Sequence, residues 1–270
     1  MSEPAPSFDD IRTALRHSHE RLVRLVELLA EDEVTGPSYD TEWSVAQVLS
    51  HLGSGAEIFG MFIDAGLGNR PAPGPDDFPP IWRRWNDKDP STQANDAVRA
   101  NADFIHQIEA IAFATAADWQ LSMFGTDRRL NEVLRMRLAE LAVHSWDVAV
   151  IGDPSSTVDA DAVAVVIDDI GQVAARAGKP PAQPLDVLVQ TTDPTRSFLL
   201  RSTADGIELA PVDPGAATDG TPSGSSPARL SLPGEALIRL VYGRLDERHT
   251  PALEADGVDL DDLRAAFPGL

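Results

Sequence analysis

The stretch Arg137-Leu138-Ala139-Glu140-Leu141-Ala142-Val143-His144-Ser145-Trp146-Asp147 decides how this chain is read. It lies in a run from Leu130 to Ile151 whose spacing predicts a helix. Leu130, Val133, Leu134, Leu141, Val148 and Ile151 recur at 3.6-residue spacing and form one apolar stripe. Arg137, Glu140 and His144 fall in the middle of that stripe. Three ionisable side chains therefore point where a core belongs, and burying them is costly unless they are paired or bound to something. Glu140 and His144 are four apart, so they stack on one helix face and can grip a single ion. Such pairs are common on exposed faces as simple ion pairs. The place in the stripe is what sets this one apart.

A second helix has a sharp predicted start. Ser44-Val45-Ala46-Gln47 fits a capping box, with Trp43 and Val48 placed for a hydrophobic staple. The helix runs to about Leu67. His51 lies on a line with Ser44, Gly55, Ile58 and Phe62, beside the main apolar face, and is expected to face a bundle interior. Asp9 to Glu31 and Ser91 to Ala114 complete a set of four helices, joined in part by a long Pro/Gly/Asp-rich loop from Asn69 to Pro90. Long loops of this kind often cover sites, although Trp82 and Trp85 within it can equally fill a crevice. Trp119 to Arg129 links the third helix to the fourth. A four-helix bundle builds metal sites from inward side chains on facing helices. His51, Glu140 and His144 would supply three such ligands and leave positions open for water or substrate, the pattern of a catalytic site. Asp147, three past His144, is placed to orient that imidazole from behind.

After Ile151 the character changes. Gly152 to Ser156 reads as a linker, and Asp159 to Ala177 as a helix stopped by Gly178 and Pro180. Leu185 to Thr191, Ser197 to Arg201, Ile207 to Ala210 and Ala228 to Leu232 have strand composition, with Asp205-Gly206 as a hairpin signal. Pro211 to Pro227 reads as a loop. Gly234 to Tyr242 and Asp259 to Phe267 read as helices. The expected organisation is mainly α plus α+β: residues 1–152 form a helical bundle and residues 157–270 a small α+β domain.

Composition narrows the function classes. Cysteine is absent, which removes disulfides, thiolate metal sites and cysteine nucleophiles. Any metal would be held by His and carboxylate. The net charge of -21 argues against a nucleic-acid partner, whose backbone it would repel. No stretch has the apolar length of a spanning helix, so no membrane partner and a cytoplasmic location are expected.

Trp43-Ser44-Val45-Ala46-Gln47-Val48-Leu49-Ser50-His51-Leu52, followed by Glu140-Leu141-Ala142-Val143-His144-Ser145-Trp146-Asp147, resembles the mycothiol-dependent maleylpyruvate isomerase family. The segment from Leu232 to Arg244 resembles the last helix of that family's C-terminal domain, a small α+β unit similar to sterol carrier proteins. The resemblance implies a DinB-like four-helix bundle over the N-terminal half. It implies a divalent metal, zinc first among those these ligands suit, held by His51, Glu140 and His144. It also implies mycothiol as co-substrate, a small-molecule thiol acting on an electrophilic substrate. A thiol bound to zinc as thiolate is a strong nucleophile at neutral pH. In the isomerase it adds to a conjugated double bond, the bond rotates, and the thiol leaves; an S-transferase would keep the new C–S bond. Arg137 and Arg244 are candidate clamps for substrate carboxylates. An ion pair with Glu140 or Asp147 is the other reading of Arg137, and a helix C-terminal charge that of Arg244. A different class of function is a non-catalytic, metal-containing ligand- or lipid-binding protein. That reading predicts a long apolar pocket in the second half and no open metal position.

Overall fold

Ser44 starts the helix on which the bundle is built. In the computed structural model, which describes residues 5–40, 42–181, 183–203, 206–213 and 228–269, its hydroxyl accepts the Gln47 backbone N–H while the Gln47 side chain accepts the Ser44 N–H. This reciprocal cap satisfies two otherwise orphaned donors and contributes about 1 kcal/mol. Helix α3 then runs Val45–Gly66, preceded by α1 (Phe8–Leu28) and a five-residue α2 (Glu31–Thr35). Next come α4 (Phe78–Asn86), α5 (Pro90–Glu109) and α6 (Phe113–Asp118). A two-stranded hairpin, β1 (Gln120–Met123) and β2 (Thr126–Arg129), leads into α7 (Leu130–Gly152). The long helices α1, α3, α5 and α7 close a four-membered ring of contacts: α1 meets α5 and α7, and α3 meets the same two.

The chain divides into two compact units, Met1–Ser156 and Thr157–Leu270. In the first, the core lies along the bundle axis and draws on Ile11, Leu15 and Leu22 of α1, Leu49 and Leu52 of α3, Phe104 and Ile108 of α5, and Leu134 and Leu141 of α7. Helix α7 is more deeply set than one apolar stripe requires. Leu138, Val143, Trp146 and Val150, off the stripe, are buried as well. Ile151, counted in the stripe, is 44% exposed, in the last turn of the helix.

Several segments depart from the sequence reading, three of them near or within the bundle or its link to the second unit. The stretch from Asn69 to Pro90 is not all loop, since it contains α4. Pro79 and Pro80 sit in the first turn of α4, where their missing N–H groups cost nothing, and Phe78, Ile81 and Trp85 bury one face. The link from Trp119 to Arg129 forms the β-hairpin, turned by Phe124 (φ 52°) and Gly125 (φ 78°). Two successive positive φ values make the type I′ turn that matches strand twist. The helix expected over Asp159 to Ala177 is broken by a 3₁₀ turn into α8 (Ala160–Val166) and α9 (Ile170–Ala177).

The second unit is α+β. Strands β3 (Asp186–Thr192), β4 (Arg196–Thr203), β5 (Gly206–Pro211), β6 (Ala228–Pro233) and β7 (Glu254–Asp256) form one sheet in the order β5-β4-β3-β6-β7. The β3–β6 pair is parallel and the other pairs antiparallel. Val187, Val189, Phe198 and Leu200 bury one face. Helices α10 (Gly234–Val241) and α11 (Leu260–Ala266) complete the unit. Within α10, the guanidinium of Arg239 donates to both oxygens of Glu235, each at 2.7 Å, so this buried charge is paired one turn away. Asp205 of the hairpin signal, and most of the loop read over Pro211 to Pro227, lie outside the described residues. Among the described residues no helix is long and apolar enough to cross a membrane.

Candidate metal centre

Two helices of the bundle bring the expected ligands together. His51 sits in the second turn of α3, and Glu140 and His144 lie one turn apart on α7, which packs against α3. The Nε2 of His51 is 3.2 Å from Oε2 of Glu140, and the Nε2 of His144 is 3.6 Å from the same oxygen. One ligand atom from each residue can be chosen so that all three lie within 4.8 Å of one another. A tetrahedral ion with bonds of 2.0–2.2 Å sets its ligand atoms about 3.3–3.6 Å apart, so the site needs only small side-chain adjustments to accept one. Two imidazoles and a carboxylate suit zinc and also iron, nickel or manganese.

The three side chains are partly exposed. The side chains of His51, Glu140 and His144 are 36%, 33% and 17% exposed, enough for an ion and a ligand to reach them. The His51 and His144 rings meet edge to face, 4.7 Å between centroids, and the half-exposed indole of Trp43 stands 5.5 Å from the His51 ring.

Behind His144, its Nδ1 lies 2.8 Å from Oδ2 of Asp147, which is fully buried. A proton on Nδ1 is thereby held by the carboxylate and the Nε2 lone pair faces the cluster, the arrangement that fixes metal-binding histidines. Replacing Asp147 with asparagine keeps an acceptor but removes its charge. The expected result is a zinc dissociation constant raised about 10- to 100-fold, read by chelator competition. The backbone near Asp147 is pinned as well: the Tyr39 N–H donates to its carbonyl at 3.1 Å, and the Tyr39 ring packs on Trp146 at 4.8 Å.

The charges are coupled. Burial opposes ionisation of Glu140, but the hydrogen bonds and positive charge of His144 and His51 outweigh it and hold its carboxyl well below the usual range. Burial also disfavours protonation of His144, but the hydrogen bonds and negative charges of Asp147 and Glu140 prevail and raise its pKa. In the metal-free protein His144 must therefore shed a proton that it holds more tightly than a free imidazole does. Zinc affinity is expected to fall as the pH drops through that raised pKa, and to level off above it. Competition titrations at several pH values measure this.

Arg137 is inside, not at the opening. It is 1% exposed, and its Nη2 donates to the Leu52 carbonyl at 2.8 Å and to Oδ1 of Asn101 at 2.6 Å. Neither Glu140 nor Asp147 forms an ion pair with it among the described residues. Burial lowers its pKa to about 10, opposed by the attraction of Glu140, so it stays charged. Arg244 belongs to the second unit, where its Nη1 donates to the Tyr242 carbonyl at 2.7 Å. Asn101 was not singled out by motif. The clue was there, since with Ala94, Ala97, Phe104 and Ile108 it occupies a position of the buried face of α5.

Helix α4 does not cover this cluster from α3. It docks through Ser50, Gly53 and Glu57. At about 100° per residue, Gly53 lies some 200° around α3 from His51.

Residues 15–149 match the family described as the mycothiol maleylpyruvate isomerase N-terminal domain. No curated protein matches the chain. Among solved structures, the mycothiol-dependent maleylpyruvate isomerase superimposes with a TM-score of 0.63 at 12% identity, covering 88% of this chain and 90% of that one. A histidine-to-alanine variant of the same enzyme gives 0.63 at 13% identity, with the same coverage. At such identities the superpositions speak for the fold, and over nearly the whole chain. The sequence match spans half the chain and runs through both ligand-bearing helices, and on that basis the chain belongs to the mycothiol maleylpyruvate isomerase family.

Proposed function

We propose that this protein is a metal-dependent enzyme that uses mycothiol as its nucleophile, either as a cis-trans isomerase of the maleylpyruvate isomerase type or as a thiol S-transferase. The observation that carries the reading is the cluster itself. Three donors from two helices approach one point, one imidazole is oriented by a buried carboxylate, and all three side chains are partly exposed. A zinc ion held there would lower the pKa of a bound thiol, so that thiolate is present at neutral pH.

The remaining roles fall to the chain. Glu140 supplies the one negative charge among the three ligands. Asp147 keeps the Nδ1 proton of His144 in place, so that Nε2 stays a lone-pair donor. Trp43 walls one side next to His51 and limits access of water from that direction. Arg244 is the proposed clamp for a substrate carboxylate, for which a planar guanidinium is suited.

The test is direct. Zinc-loaded protein is incubated with mycothiol and maleylpyruvate and followed by proton NMR, with mass spectrometry for adducts. Thiol-dependent conversion of the cis to the trans isomer supports the isomerase, and a persistent C–S adduct supports the transferase. Neither product from metal-loaded protein, with this substrate or with a panel of activated alkenes, would contradict the enzyme reading and favour the binding protein.

A further inference from the structure

Arg137 is a buried cation that the proposed chemistry leaves without a task. Its guanidinium sits in the bundle interior between the rings of Phe59 and Phe104, 6.0 and 5.9 Å from their centroids. One nitrogen, Nη2, donates both to the backbone carbonyl of Leu52 on α3, the residue next to His51, and to Asn101 on α5. Asn101 is oriented in turn by its Nδ2 donating to the Ala97 carbonyl at 2.8 Å. Gly55 of α3 makes room for the guanidinium, because a Cβ there would stand 3.2 Å from Nη1. Among the described residues the Nε is buried with no partner. A buried guanidinium with an unsatisfied nitrogen is costly, and among the described residues no carboxylate neutralises it directly.

We propose that Arg137 is a positioning residue for the metal centre: a tie between α7, α3 and α5, one turn before Glu140 on α7, that fixes the spacing of His51 against Glu140 and His144. This rests on the reading of those three side chains as metal ligands. Arg137 comes from the helix that carries Glu140 and His144, and it grips the backbone of the other ligand-bearing helix one residue beyond His51. It acts through the ligands and does not touch the substrate, unlike the clamp expected from the sequence.

The test uses the full-length protein as wild type, Arg137→Met, Arg137→Lys and Gly55→Ala. Zinc dissociation constants are measured by chelator competition, the visible spectrum is recorded after cobalt loading, and circular dichroism checks the fold. Arg137→Met is expected to stay helical, to bind zinc about 10-fold or more weakly, and to show a shifted cobalt spectrum. Arg137→Lys, which keeps the charge and one donor, is expected to recover part of the affinity. Gly55→Ala leaves the arginine in place but crowds Nη1, and is expected to weaken zinc binding several-fold with helix content unchanged. It carries the test if Arg137→Met fails to fold. Wild-type affinity and an unaltered cobalt spectrum in a folded Arg137→Met, or in Gly55→Ala where the methionine variant does not fold, would overturn the inference. A wild-type protein that binds neither metal contradicts the metal reading itself and takes this inference with it.

Discussion

Replacing Glu140 with glutamine is expected to weaken zinc binding more than 100-fold and to abolish thiol-dependent activity at ordinary metal concentrations. Glu140 Oε2 is the point to which both imidazoles converge, at 3.2 and 3.6 Å. Removing partners one shell behind a metal ligand already costs roughly 10- to 100-fold in affinity, so losing a direct ligand, and the only negative one, costs more. The substitution is nearly isosteric and the side chain is one-third exposed, so the fold is expected to hold. Competition with a chelator, alongside thermal unfolding of the metal-free proteins, separates the two effects. A glutamine variant with wild-type zinc affinity would mean that Glu140 is an ion-pair partner for two histidines and no more.

The largest expected effect on stability lies away from the metal site. Gly53→Ala puts a better helix former into α3, which by propensity alone gains about 1 kcal/mol. The structure predicts the opposite sign. A Cβ at position 53 would stand 2.2 Å from the Trp85 ring, an impossible contact that displaces the indole. Trp85 is 3% exposed and anchors α4. Its Nε1 donates to Glu57 at 3.0 Å, its carbonyl accepts from Gln93 at 3.2 Å, and Lys88 caps its ring at 3.5 Å. Overpacking of this kind costs about 1–3 kcal/mol, and loss of a buried Trp about 3–5 kcal/mol. We expect Gly53→Ala to lower stability by about 2–3 kcal/mol, a Tm drop on the order of 5–10 °C. Trp85→Ala should cost more, and the double variant less than the sum, because the clash disappears with the ring. Zinc affinity should hardly move in any of them, since the α4-bearing face of α3 points away from His51. A Gly53→Ala protein more stable than wild type would refute the packing argument.

How far the fold could be read ahead of the structure depends on where each signal resides. Helix α3 was legible to the residue at its start, because the Ser44/Gln47 cap is a local hydrogen-bond pattern. The candidate ligands were legible because ionisable groups on an apolar stripe violate the pattern that makes a core. Helix α4 was hidden by its own first turn, where a Pro-Pro pair that usually marks a loop is harmless. The β1–β2 turn was hidden because Phe124 occupies a left-handed position that Asn, Asp or Gly usually fills. β7 has three residues, all exposed, and no apolar alternation to reveal it. Arg137 stands out in the stripe as misplaced, but the sequence does not reveal its partners. The Leu52 carbonyl and Asn101 are 85 and 36 positions away along the chain, and only the packing of three helices brings them together.

If His51, Glu140 and His144 hold one divalent ion, as proposed, metal analysis by mass spectrometry of wild type, His51→Ala and His144→Ala, after incubation with zinc and exhaustive buffer exchange, finds about one equivalent in wild type and essentially none in either variant, all three with the same helical circular dichroism. A folded wild type without metal, or variants that retain a full equivalent, would contradict it.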